Sequence, residues 1–188
     1  TIKAVNGPLR LPVSVNTELN EQEPNDTSAT AHSVSLSVVI SGHIDNPGDV
    51  DRFAFTVKKS DRFLFSVESF RLGFLLDGLL SIEDATCKEL ASTDDANKKR
   101  DPQLTWTAPV DGRYSVVLRS LLRKGGSEYF YRLQIHRPQP SFTATVAVPQ
   151  FVIHTGITNE VKVTAKYLDG LKGKLTVQAQ ALPDGVTA

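Results

Sequence analysis

Several features that define other protein classes are missing or scarce in this 188-residue chain. It has one cysteine, Cys87, which excludes an internal disulfide and a cysteine-based zinc site. Lys and Arg total 21, as do Asp and Glu, so the formal net charge is zero and a nucleic-acid partner is disfavoured. No apolar run approaches the roughly 18 residues that a membrane-spanning helix needs, so we expect no membrane span in this segment.

The chain also contains no methionine. Because an initiator residue is missing, we expect a processed or excised piece of a longer protein, and the absence of a signal peptide then carries no information on localisation. Hydrophobic residues make up 40% and charged residues 22%, which is an ordinary globular composition. The length predicts one full domain and part of a second.

Apolar and polar residues alternate along much of the chain, which is typical of half-buried strands. Asp51–Lys58 and Asp61–Ser69 both follow this pattern, and Lys59-Ser60 between them suits a tight hairpin turn. Gly125-Gly126 is predicted to form another hairpin turn. Further strands are predicted at Leu36–Ile44, Leu76–Glu83, Gln103–Ala108, Arg113–Leu121 and Glu128–Arg137. Many short strands without a helical period predict an all-β sandwich or barrel.

Composition divides the chain into three regions. Residues 1–20 are predicted to be an extended lead-in or the end of an upstream domain, and residues 21–138 a β-sandwich. After Pro138-Gln139-Pro140 the alternation restarts, and residues 141–188 are predicted to be a partial immunoglobulin-like β-sandwich that is cut short and less stable. Its expected strands are Phe142–Val148, Asn159–Tyr167 and Lys174–Leu182.

Two stretches are crowded with oxygen-bearing side chains: Glu21-Gln22-Glu23-Pro24-Asn25-Asp26 and Asp45-Asn46-Pro47-Gly48-Asp49-Val50-Asp51. Calcium takes six to eight oxygen ligands from carboxylates, amides and main-chain carbonyls. Carboxylates packed closely without a cation repel one another, which favours a counter-ion if the stretches meet. The alternative is that these residues are solvated turn and cap residues.

A combination of motifs resembles the bacterial pre-peptidase C-terminal domain. The resemblance covers about Glu21 to His136 and is carried by Glu23–Asp26, Ser41–Ile44, Gly48–Phe55, Asp111–Tyr114 and Tyr131–Ile135. It implies a jelly-roll-like β-sandwich of the kind appended to secreted hydrolases and surface proteins. Collagenase-derived members of that family bind calcium between the N-terminal acidic segment and an Asp-containing loop.

Carried over position by position, the resemblance implies a calcium site. His43, where those relatives tend to have a small residue, contributes its main-chain carbonyl. The other implied ligands are Glu21, Glu23, Asn25, Asp26, Asp49 and Asp51. A second acidic group is predicted to be a charged loop or a second calcium site, and it comprises Asp77, Glu83, Asp84, Asp94, Asp95 and Asp101.

Aromatic residues divide between core and surface. Trp106 shares one face of its predicted strand with Leu104 and Ala108 and is predicted to be buried. On the strand that holds Tyr131, the alternation points Tyr131, Leu133 and Ile135 inward and Phe130, Arg132 and His136 outward. An exposed Phe130 near Arg132 or Arg119 is a candidate ligand platform, or else it covers an adjacent domain. Collagen-binding relatives have tyrosines where this chain has Arg119 and Leu121, which disfavours collagen.

No nucleophile elbow, zinc-binding helix motif or phosphate loop occurs in the sequence. We therefore predict a non-catalytic, calcium-stabilised accessory or adhesion module of a larger secreted or cell-surface protein, in an extracellular, cell-surface or periplasmic location. Its expected partners are other domains of the parent protein, or a polysaccharide or extracellular protein. The alternative is a carbohydrate- or matrix-binding module attached to a secreted hydrolase, and an enzyme is ranked last.

Overall fold

A computed structural model describes residues 16–95, 100–147, 152, 154 and 156–187. The chain divides after Pro138 into two units. Most of the predicted lead-in, residues 1–15, lies outside the described residues, and its last part forms the first strand. No described helix is long and apolar enough to span a membrane.

The first unit contains two five-stranded sheets. Sheet I has the order β1-β3-β10-β5-β8, with β1 at Thr17–Asn20, β3 at Val38–His43, β10 at Phe130–His136, β5 at Arg62–Glu68 and β8 at Gln103–Thr107. Sheet II has the order β2-β4-β9-β6-β7, with β2 at His32–Ser33, β4 at Val50–Val57, β9 at Gly112–Ser120, β6 at Gly78–Asp84 and β7 at Glu89–Thr93. The β1–β3 and β2–β4 pairs are parallel, and the other pairs are antiparallel. A 3₁₀ helix, η1, spans Phe70–Leu72.

The apolar faces of the two sheets form the core. The Phe55 ring of sheet II lies 5.6 Å from the Phe65 ring of sheet I, measured between centroids. Trp106 is 8% exposed and packs edge-on against Tyr114, with 4.7 Å between ring centroids. The predicted all-β sandwich is confirmed, as is the burial of Trp106.

Two predicted hairpins are wrong. Lys59-Ser60 and Gly125-Gly126 each lie between strands of different sheets, so the chain crosses the sandwich at both places. The apolar faces of β4 and β5 meet across the core instead of lying side by side in one sheet. Period-two alternation specifies which face of a strand is buried, and it carries no information on which sheet the strand joins.

The second unit contains one described strand pair. Strand β11, Ser141–Val146, pairs antiparallel with β12, Val163–Leu168, and Phe142 lies opposite Tyr167. The predicted strand at Lys174–Leu182 is wrong, because none of the described strands pairs with this segment and alternation alone does not make a ladder. Val148 lies outside the described residues. The immunoglobulin-like identity of this unit stays a prediction.

Candidate metal centre

The two acidic stretches meet at one end of the sandwich. Glu21 directly follows β1, and its main-chain N–H donates to the Ser41 carbonyl of β3 at 2.9 Å. Asp51 shares the inward face of β4 with Phe53 and is fully buried. Carboxylate oxygens of Glu21, Glu23 and Asp51 all lie within 4.8 Å of one another. These three acids, here called the ion-site acids, form a group that can hold a metal ion.

Tyr131 joins two of these acids across the sandwich. Its hydroxyl lies 2.5 Å from Asp51 Oδ2 and 2.7 Å from Glu21 Oε2. A phenol carries one proton and donates to one carboxylate at a time. The second contact is a hydrogen bond only when Glu21 or Asp51 itself carries a proton. Without a cation, both contacts can therefore be hydrogen bonds only if one of the two carboxyl groups is protonated.

Burial and mutual repulsion disfavour the charged forms of these acids. Burial, followed by the neighbouring Glu21 charge, raises the pKa of Asp51 to about 9. Burial raises the pKa of Glu21 to about 7, against hydrogen bonds from Tyr131 and the main chain of His43 that lower it. The pKa values of Glu23 and Asp49 are also raised, in both cases mainly by burial. Within the described part of the chain, none of these four carboxylates forms an ion pair with Lys or Arg.

Two buried polar atoms of the site have no hydrogen-bond partner among the described residues: Asp51 Oδ1 and Asn25 Nδ2. An unpaired buried polar group costs about 1–3 kcal/mol. A hard cation held by the ion-site acids would supply the partner that this Asp51 oxygen lacks. Asn25 itself is fully buried, and its amide oxygen accepts a hydrogen bond from the Arg52 main-chain N–H at 3.2 Å.

The other predicted ligands lie near the ion-site acids, and hydrogen bonds hold them there. Asp49 accepts hydrogen bonds from the Asp45 N–H at 2.6 Å and the Val50 N–H at 2.9 Å. The main-chain carbonyl of Asp26 accepts from the Arg52 guanidinium. The His43 main-chain N–H donates to Glu21 Oε1 at 2.6 Å, so His43 approaches the site through its backbone.

Sequence reasoning missed Tyr131 and Gly42 as parts of this site. The alternation predicts that Tyr131 is a core residue, and its ring is indeed buried. Gly42 lies beneath it: a Cβ at Gly42 would lie 2.3 Å from Tyr131 Cζ and 2.5 Å from Glu21 Oε2. A glycine inside a strand signals a close approach, and Gly42 in Ser41–Ile44 carried that signal.

The predicted ligand platform is not brought together as one patch. Phe130 is 43% exposed and stacks on the His43 ring with 4.5 Å between centroids. Arg132 is buried, correcting the expectation that it is available at the surface, because it donates to Glu68 and Glu18 on the outer face of sheet I. Arg119 lies on β9 of sheet II, where alternation points it away from the core on the opposite side of the sandwich.

The second acidic group is dispersed. Asp101 accepts hydrogen bonds from the main-chain N–H groups of residues 69–71 at the start of η1. Asp84 accepts from Thr86 in a turn, and Glu83 lies 3.5 Å from the Arg52 guanidinium. Among the described residues, the ion-site acids are the one group of three acids close enough to share a cation.

Comparison with known proteins gives a partial match to a protease. No family model matches the chain. A probable subtilase-type serine protease of Deinococcus radiodurans is 38% identical over 101 residues, which is 52% of this chain and 14% of that protein. The chain therefore corresponds to a small part of the length of this relative.

Two solved structures are similar at low identity. The pre-peptidase C-terminal domain of a collagenase from Bacillus anthracis has a TM-score of 0.45 at 18% identity, covering 61% of this chain and 99% of that domain. PliG of Aeromonas hydrophila, a periplasmic inhibitor of g-type lysozyme, has a TM-score of 0.41 at 12% identity, covering 64% and 95%. The chain resembles bacterial pre-peptidase C-terminal domains. The resemblance predicted from the motifs is confirmed.

Proposed function

We propose that this chain is a non-catalytic, calcium-stabilised accessory module of a larger secreted or cell-surface protein. The observation that carries the proposal is Asp51, which is buried inside the sandwich with one unpartnered oxygen beside Glu21 and Glu23. The resemblance to pre-peptidase C-terminal domains supports an accessory role, and the partial match to a subtilase-type protease supports a larger parent protein.

A cation resolves the electrostatic problem at this site. Buried carboxylates without a partner are costly, and like charges in contact raise that cost. The described residues supply no Lys or Arg ion pair to the ion-site acids, and Arg52, the guanidinium nearest in sequence to Asp51, is engaged with Asp26 and Glu83. A divalent ion lowers the free energy of the ionised acids and satisfies the orphaned oxygen.

Calcium suits the donors better than a transition metal. The predicted ligands offer oxygen atoms only: the ion-site acids, Asp26 and Asp49, the amide of Asn25 and the main-chain carbonyl of His43. Calcium binds six to eight such oxygens and tolerates irregular geometry, whereas magnesium demands a near-octahedral set. No sulfur ligand is near, since Cys87 lies in the turn after β6.

Bound calcium would fasten the N-terminal strand to the sandwich. Glu21 and Glu23 follow β1, an edge strand of sheet I, while Asp51 belongs to β4 of sheet II. An ion held by all three links the two sheets and the segment that enters the module. We propose that this fixes the position of neighbouring domains of the parent protein in an extracellular, cell-surface or periplasmic setting.

Thermal unfolding tests this proposal. Ligand bound at a hundredfold excess over Kd stabilises the folded state by about 2.7 kcal/mol, which raises the Tm of a domain of this size by roughly 5–20 °C. The chain, first freed of metal with a chelator, is melted alone, with calcium, and with magnesium at equal ionic strength. We expect a large rise with calcium and a smaller one with magnesium. Identical melting curves in all three conditions would refute a stabilising ion.

A second function is favoured by one observation. Phe130 is exposed, stacks on His43, and contacts Phe74 with 5.5 Å between ring centroids. Such a surface stack is typical of platforms that bind sugars or extracellular proteins. Retention of the wild type, but not of the Phe130→Ala variant, on insoluble polysaccharide or matrix protein would support this alternative. Equal retention of both would count against it.

A further inference from the structure

The outer edge of β4 is covered along only part of its length. Strand β2 has two residues, and it pairs with β4 only at Phe53 and Ala54. After β2 the chain leaves for sheet I, where β3 begins at Val38. The end of β4, from Phe55 to Val57, is therefore paired with β9 on one side and with no described strand on the other.

Hydrogen bonds identify which main-chain groups face this edge. The Arg52 N–H donates to Asn25 Oδ1, and the Ala54 carbonyl accepts from the Val34 N–H at 2.9 Å. In a strand, the main-chain groups of alternate residues point to the same side. Those of Thr56 consequently face the same edge, and no other described residue supplies them with a main-chain partner.

A groove follows this uncovered edge. Its volume is about 270 Å³, and it is lined by Ser33, Val34, Ser35, Leu36, Ala54, Phe55, Thr56 and Arg113. Val34 and Leu36 pack partly against the core, so they give the groove an apolar floor. The groove thus places an unpaired N–H and C=O beside apolar side chains, which is the combination that strand addition uses.

Arg113 supplies the groove with a positive charge that no described acid pairs with. It lies opposite Thr56 in the β4–β9 register, is exposed, and forms no ion pair with another described residue. The guanidinium therefore favours a carboxylate on whatever enters the groove. Asp51 and Thr56 are five residues apart on β4, about 17 Å at strand rise, so the groove is separate from the candidate metal centre.

We propose that this groove binds an extended acidic segment of another protein, which adds to the edge of β4 as a short strand. The Thr56 N–H and C=O pair with the main chain of the segment, the apolar floor receives one of its side chains, and Arg113 binds an Asp or Glu side chain of the segment. This interaction uses none of the ion-site acids.

A labelled peptide tests the groove directly. The probe is fluorescein-Thr-Val-Glu-Val-Thr-amide, added to the ¹⁵N-labelled chain in calcium buffer. Because two main-chain hydrogen bonds and one ion pair are available, we expect weak binding, with Kd on the order of 0.1–1 mM. The Thr56 amide should shift on binding and exchange with solvent more slowly. A peptide with Lys in place of Glu, and one N-methylated along its backbone, should each bind about tenfold more weakly.

A matched pair of variants tests whether Arg113 is the cation that binds the Glu side chain of the peptide. Arg113→Gln should weaken the Glu peptide about tenfold and leave the Lys peptide unaffected, whereas Lys124→Gln, an exposed cation beyond the other end of β9, should leave both unchanged. Equal binding of the Glu and Lys peptides to the wild type, or no change at the Thr56 amide, would overturn the proposal. Both of these readouts use the wild-type chain and do not depend on the variants folding.

Discussion

Two sets of acids in the same sandwich have opposite electrostatic environments. The fold places the ion-site acids close together, and burial raises the pKa values of all three. The turn acids, defined as Asp61, Asp84 and Asp111, lie at the surface, and their pKa values are lowered. The main causes are hydrogen bonds from Lys58 to Asp61, from Thr86 to Asp84 and from Lys59 to Asp111.

The difference shows what each set contributes to stability. Each turn acid already accepts hydrogen bonds from its own turn or from a neighbouring loop, so its charged form needs no bound ion. The ion-site acids lack such donors apart from Tyr131 and main-chain N–H groups near Glu21 and Glu23, and their charged forms require something that the described residues do not provide. A rise in pH should therefore lower the stability contributed by the ion-site acids and preserve that of the turn acids, and calcium should act only through the first set.

The largest contrast is expected for Asp51→Asn. Without calcium, the variant should melt at a higher temperature than the wild type, because a neutral amide replaces a buried carboxyl group that is costly to ionise. With calcium the order should reverse, since the variant loses a charged ligand and its affinity for calcium falls by more than about tenfold. Melting curves of both proteins in chelator and in calcium measure the crossover. A variant that gains as much from calcium as the wild type would contradict this account.

The second contrast is the pH dependence of the metal-free chain. The pKa values of Glu21 and Asp51 are raised in the folded state to about 7 and about 9. The unfolded chain therefore loses their protons first, and the free energy of unfolding should fall as the pH rises from about 5 to about 9. Urea titrations across this range measure the trend.

Calcium should abolish or reverse this trend, because it binds the ionised carboxylates. Asp51→Asn should flatten the upper part of the metal-free profile. A metal-free wild type whose stability rises steadily with pH across this range would contradict the proposed environment of these acids.

The third prediction concerns the packing beneath the site. Gly42→Ala places a Cβ 2.3 Å from Cζ of the buried Tyr131 ring, so the ring or the strand must shift. We expect a loss of about 1–3 kcal/mol in the free energy of unfolding, measured with urea, together with weaker calcium binding. Gly112→Ala is the matched control, because its Cβ would meet Tyr114 at an ordinary distance of 3.5 Å. Equal stability of the two variants would show that the Tyr131 contact is not tight.

The smallest effect is expected for Asp84→Asn. The pKa of Asp84 is lowered by hydrogen bonds from Thr86, so its contribution to stability is present at neutral pH and is lost as the pH falls through that lowered pKa. The variant should show a small decrease in Tm at neutral pH and none in strong acid. Its response to calcium should equal that of the wild type, and a lost response would mean that Asp84, which lies outside the predicted ligand set, is needed for ion binding.

The sequence was sufficient for the strands and insufficient for their assembly. The pattern predicts β3, β4, β5, β9 and β10 within a few residues, because the residues that pack in the core recur at every second position even where the other face is buried too. β2 and β7 were missed, since two to five residues in exposed positions carry little periodicity. The assignment of strands to sheets is wrong at Lys59-Ser60 and Gly125-Gly126, where the chain passes from sheet II to sheet I.

The acids of the candidate site are predictable from the sequence, but the contacts of the Tyr131 hydroxyl with Glu21 and Asp51 are not. Glu21, Glu23 and Asp51 were found because hard oxygen donors in two stretches, together with a family resemblance, indicate calcium. Tyr131 was recognised as an inward-facing residue, but the destination of its hydroxyl depends on how sheet I lies over sheet II. That arrangement is set by long-range packing, which local patterns do not encode.

A crystal structure of the chain grown in calcium, with an anomalous difference map, tests the central claim most directly. The account predicts one strong peak bounded by oxygens of Glu21, Glu23 and Asp51 at about 2.3–2.6 Å, the calcium–oxygen range. Side chains of these residues directed away from one another, with no peak between them, would contradict it.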